Sequence, residues 1–137
     1  MTATLLRQAA ALIRHRAAEA ACSLEERWMV DQDETGALVL AAFTPESVEQ
    51  DGTVSGSVLA SFAYPGHPER YAHARALGAA SHMAALDPQA AVLLAAWLET
   101  TAAFEDVAEE LGDTEGAAPL TEPANRFARA YLRTAPA

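Results

Sequence analysis

Leu5, Leu6, Ala9, Leu12, Ile13, Ala17 and Ala20 recur at three- and four-residue spacing, which places side chains on one face of a helix. The pattern predicts an amphipathic helix over 4–21. Arg7, Arg14 and Glu19 fall off the apolar stripe, and Thr2 or Thr4 can cap the start. From Trp28 the period changes. Residues 27–30 read as a short strand, 31–36 as a polar turn with Gly36 free to take a positive backbone angle, and 37–43 as a continuous apolar strand. A loop marked by Pro45 and Gly52 follows. Residues 54–64 then read as a third strand, with Val54, Val58, Ala60 and Phe62 on one face and Ser55, Ser57, Leu59 and Ser61 on the other.

Pro65-Gly66-His67-Pro68 ends this meander. A second helix is predicted over 69–85, burying Tyr71, Ala74, Leu77 or Ala76, Ala80, and Met83 or Ala84. Asp87-Pro88 is a helix-start signal, because Asp accepts from free first-turn amides and Pro gives up only an amide that has no partner there. The third helix is predicted to run to Leu111, with Ala90, Leu93, Leu94, Trp97, Leu98, Thr101, Phe104, Ala108 and Leu111 inward, and to stop at Gly112. Residues 112–120 read as a loop of small and acidic residues. Pro123 then opens a last helix to about Arg133, anchored by Phe127, Ala130 and Tyr131. The expected fold class is α+β: a small three-stranded antiparallel sheet packed with three to four helices in a single domain over 1–137.

Alanine inflates the 51% apolar content, so the expected core packs helices closely and is thin enough to favour a homo-oligomer. The formal net charge is −10, and every one of the nine basic residues is Arg. Phosphates and anionic lipid repel such a surface, which argues against direct nucleic-acid or membrane binding. The same balance permits the opposite idea, an acidic surface that occupies a basic, nucleic-acid-binding partner protein, although solubility alone accounts for a charge of this sign and size. The single cysteine, Cys22, forms no internal disulfide and fits a reducing compartment. Arginines interrupt the N-terminal apolar residues, and the longest apolar run, 90–98, is far short of the roughly 20 residues of a membrane span; a cytoplasmic protein is expected.

His67, His73 and His82 lack metal-ligand spacing, and His15 stands alone. Glu105, Asp106, Glu109 and Glu110 read as a solvated acidic face, a candidate partner surface rather than catalytic carboxylates, which need an apolar setting. Cys22 closes a helix, where the dipole disfavours a thiolate. No phosphate loop or nucleophile elbow is spelled out, so neither an enzyme nor a bound cofactor is expected. A pocket gathering Arg70, Arg75, His82 and Trp97 is the alternative, and it would suit a small ligand such as a nucleotide signal.

Three segments carry a resemblance: 5–17 (LLRQAAALIRHRA), 81–99 (SHMAALDP followed by AWLE) and 128–132 (ARAYL). In this order they resemble the small accessory proteins of actinobacterial phages and prophages, and distantly the Ead-type early accessory proteins of enteric phages. Those proteins often carry Thr-Pro-Gly-Pro-Trp after the first helix, where this chain has Leu24-Glu25-Glu26-Arg27-Trp28. The resemblance implies a nonessential, phage-related cytoplasmic protein whose partner is a host or phage protein. It implies no catalytic residue.

Overall fold

The computed structural model describes residues 2–21, 25–34, 36–44, 56–62 and 70–135. Cys22, the loop 45–53, residues 54–55 and 63–64 of the expected third strand, 65–69, and the side chains of Arg70, Tyr71, His73 and Ala74 lie outside the described residues. The architecture is α+β. In chain order the elements are α1 (Thr2–Ala20), β1 (Arg27–Gln32), β2 (Leu38–Phe43), β3 (Ser57–Ser61), α2 (Arg70–Ala85), α3 (Pro88–Glu110) and α4 (Thr114–Leu132). The chain divides into two compact units, one of residues 20–90 and one of 1–19 with 91–137.

The 20–90 unit holds the sheet, in order β1-β2-β3 with both pairings antiparallel. The apolar run of β2 is the central strand, and Leu38, Val39, Leu40, Ala41 and Ala42 are all buried, as a strand covered on both faces requires. Asp31 and Gln32 extend β1 beyond the expected turn. The hairpin is closed by Asp33, whose N–H donates to the Ala37 carbonyl and whose carboxylate accepts from the Ala37 N–H, and Gly36 sits at φ 82°.

A register shift between Leu40 and Ala41 corrects the expected pattern of β3: Ala60 pairs with Leu40 but Val58 pairs with Ala41. Adjacent residues of β2 point to opposite faces, so Val58 and Ala60 do not share one, because the bulge at Leu59 absorbs a residue. Helix α2 packs on β1 and β2. It buries Ala76 and Ala80, with Ala84 half-buried, and leaves Leu77 and Met83 exposed, so the smaller of each alternative faces inward.

The second unit is a bundle of α1, α3 and α4. Its core joins Leu6, Ala9, Ala10 and Ile13 of α1 to Ala95, Leu98 and Ala102 of α3 and Ala124 and Ala128 of α4. Most of these are alanines, which let helix axes approach closely while Leu6, Ile13 and Leu98 fill the remaining volume. Two expectations for α1 fail at its ends. Ala20 is exposed, and Thr2 lies inside the helix, where its hydroxyl donates to Glu105 rather than capping.

Helix α4 corrects the expected loop. It begins at Thr114 and runs through Pro119 and Pro123. Asp113 starts it by accepting from the Gly116 N–H, and the buried stripe Ala117, Thr121, Ala124, Asn125 and Ala128 holds it to the bundle. Phe127 stacks on Tyr131 with ring centres 5.8 Å apart, and both are half-buried, whereas Ala130 is exposed. Among the described residues no helix is long and apolar enough to cross a membrane.

Candidate functional site

The four acids of the expected partner surface differ in their surroundings. Glu105 accepts from the Thr2 hydroxyl and from the Asn125 amide, so it is spent on tying α1 and α4 to α3. Asp106 accepts from Arg7 at 2.6 Å. Glu109 and Glu110 are exposed. A second ion pair, Arg14 to Glu99 at 2.7 Å, lies two turns along. Its hydrogen bond holds the Glu99 carboxyl below its ordinary range and raises Arg14. Arg7 and Arg14 thus clasp Asp106 and Glu99 in reverse order, as antiparallel helices demand.

The alternative pocket residues are spread over two elements. Arg70, Arg75 and His82 belong to α2, where Arg75 and His82 are exposed; Trp97 is an exposed residue of α3. Arg75, His82 and Trp97 line neither cavity described below, and the Arg70 side chain lies outside the described residues. Among the described residues no group of three His, Cys, Asp or Glu side chains stands close enough together to hold a metal ion.

What sequence reading assigned to the core of α3 is in part its surface. Leu93 is 71% exposed, Leu111 is 76% exposed, and Trp97 and Phe104 are exposed as well; Val107, which is not among the expected core residues, is exposed beside them. Spacings of four, seven, three and four residues put all five on one face, in a stripe about 27 Å long at 1.5 Å per residue. The opposite face, with Ala95, Leu98 and Ala102, is buried, and Thr101 and Ala108 are buried along the edge between the two faces. Helix α3 is apolar on both faces, so periodicity alone does not choose between them. The alanine-lined surfaces of α1 and α4 accept the flatter face, and the bulky one is left outside. Thr101 is buried without penalty because its hydroxyl donates to the Trp97 carbonyl at 2.8 Å.

At the C-terminal end of the stripe, Phe104, Val107, Leu111, Gly116 and Ala117 line an apolar groove of about 200 Å³. A separate cavity of about 170 Å³ opens between the start of α1, the last turns of α3 and the first turns of α4. Its lining includes Glu105, Glu109, Glu122, Thr114, Thr121 and Asn125. Sequence reading passed over Asn125 and Thr121, because two prolines hid the helix that presents them. The signal that finds them is Asp113 followed by the Ala117, Thr121, Ala124, Ala128 spacing. Comparison with protein-family models, with curated proteins and with solved structures returns no match.

Proposed function

We propose that the chain is a non-enzymatic accessory protein of the phage or prophage type that acts by protein–protein interaction, with the bulky face of α3 as its contact surface. The stripe of Leu93, Trp97, Phe104, Val107 and Leu111 carries this reading. An exposed apolar face of this length, broken only by Thr100 between Trp97 and Phe104, marks an interaction site more often than an accident of composition. Trp and Phe are the side chains that anchor interfaces, and the groove beside Phe104 is shaped for one apolar side chain of a partner.

Charge selects the partner. Glu99 and Asp106 are already paired with Arg14 and Arg7, but Glu110 is exposed, and the chain carries ten net negative charges without a single lysine. A second copy would set acid against acid, whereas an amphipathic helix with Arg or Lys beside its apolar face is attracted and correctly registered. The contact surface in this reading is the apolar face rather than the four acids, since Glu105 and Asp106 are engaged within the bundle.

Calorimetry with two helical peptides of identical apolar face, one flanked by Lys and Arg and one by Glu, tests this. The basic peptide is expected to bind, and Trp97→Ala with Phe104→Ala to weaken it at least about tenfold without loss of helix content. Equal binding of the acidic peptide, or full binding by the double variant, refutes the reading. Concentration-dependent self-association abolished by the same double variant would assign the face to a second copy instead.

A further inference from the structure

We propose that β3 is a self-association edge: it pairs antiparallel with β3 of a second copy and joins the two sheets into one. The proposal is independent of the apolar face of α3. Among the described residues β3 is the last strand of the sheet, hydrogen-bonded to β2 on one side only. The Phe62 N–H donates to the Leu38 carbonyl at 2.8 Å, and Ala60 stands opposite Leu40. Backbone groups alternate in direction along an antiparallel strand, so the N–H and C=O of Ser61, between them, point away from β2. Ser61 is exposed. Apolar side chains of β3 are also uncovered: Val58 is 61% exposed and Leu59 43%.

Charge selects the occupant. Strand β3 lies in the longest stretch of the chain without a charged residue, between Asp51 and Glu69. Edge strands are commonly blunted by a charge or a proline, and β3 has neither. The bulge at Leu59 leaves the register at Ala60 and Ser61 regular. A partner recognised by its charge finds nothing on this strand to read. Two copies, each with a net charge of −10, repel wherever their acids meet, and β3 lets them approach with no acid on the contacting strands. Identical antiparallel strands are also self-complementary, because a two-fold axis gives each copy the same contacts. Backbone hydrogen bonds supply affinity, and the apposed Val58 and Leu59 side chains supply packing. The assembly closes at two copies. The other edge, β1, carries Arg27 and Asp31 and is packed by α2, which blunts it against further pairing.

Sedimentation equilibrium of the full chain reads the mass, and amide hydrogen exchange reads the pairing. A dimer is expected at micromolar concentration, with the Ser61 amide protected more strongly as concentration rises. Val58→Lys, which sets like charges side by side on the paired strands, is expected to raise the dimer dissociation constant at least about tenfold. Ser61→Pro, which removes an N–H that β2 does not use, is expected to leave a monomer of unchanged helix content. Trp97→Ala with Phe104→Ala is expected to stay dimeric. A monomeric wild type, a dimer that neither β3 variant weakens, or one that the α3 variant dissociates would overturn the proposal. So would a Ser61 amide protected equally at every concentration, which marks a partner within its own copy. If Ser61→Pro fails to fold, Val58→Lys, a change to an exposed side chain, decides the matter alone.

Discussion

Asp87 is a buried carboxylate of the sheet unit that joins a helix start to a strand. It is 2% exposed, accepts from the Ala90 N–H at 3.1 Å as the cap of α3, and accepts from Arg27 at 2.8 Å. Burial pushes its carboxyl upward, but the hydrogen bonds from Ala90, Arg27 and the Trp28 backbone outweigh that, and the net shift is below the ordinary 3.8. A carboxyl depressed on folding stabilises the native state above its unfolded pKa, and that stabilisation fades as pH falls through the folded value. Asp87→Asn is therefore expected to lose about 1–2 kcal/mol at pH 7 and to show a flatter acid limb below pH 4 in urea denaturation. Matching acid limbs in the two proteins would show that the charge is idle. Gly56 is a second sensitive position. A methyl group there would lie 2.6 Å from the Phe43 ring and 2.8 Å from the Ala42 carbonyl. The ring can turn but the backbone cannot, so Gly56→Ala should lower thermal stability by about 1–3 kcal/mol. At this scale the sequence reveals Asp87 as a cap but not its partner Arg27, sixty residues away.

Elements were legible where a local signal and the packed face agree. Strand β2 stands out as an apolar run, and α1 as a stripe with charges outside it. The end of α3 is equally plain, since Gly112 takes φ 70° and the Asp113 and Gly112 N–H groups return to the Ala108 and Glu109 carbonyls. Helix α4 was not legible, because Pro119 and Pro123 each remove an intrahelical hydrogen bond and read as breakers. Burial of Ala117, Thr121, Ala124 and Ala128 outweighs them. Both prolines are exposed, so Pro119→Ala restores an N–H donor without disturbing packing. It should raise the melting temperature, by an amount equivalent to about 1–3 kcal/mol. A lower melting temperature would mean that chain stiffening in the unfolded state dominates.

Across the molecule, the candidate site was the least legible feature. The acids Glu105 and Asp106 look alike in sequence, yet one is tied to neutral donors beside a cavity and the other is matched to Arg7. The bulky face of α3 was assigned to the core because bulk was equated with burial. Surface ion pairs contribute little here: Arg7–Asp106 and Arg14–Glu99 are both well exposed, and a double-mutant cycle on either should give only weak coupling, falling further in 1 M salt. The division of the chain has a consequence for the order of synthesis. Helix α1 emerges before α3 and α4, which cover Leu6 and Ile13 and are separated from it by about seventy residues belonging to the other unit. At about 5–20 residues per second, α1 waits roughly 6–22 s for both covering helices to be made, with its apolar stripe uncovered. Nascent chains halted before residue 91 should therefore recruit holdase chaperones through α1, and release should coincide with the emergence of α4.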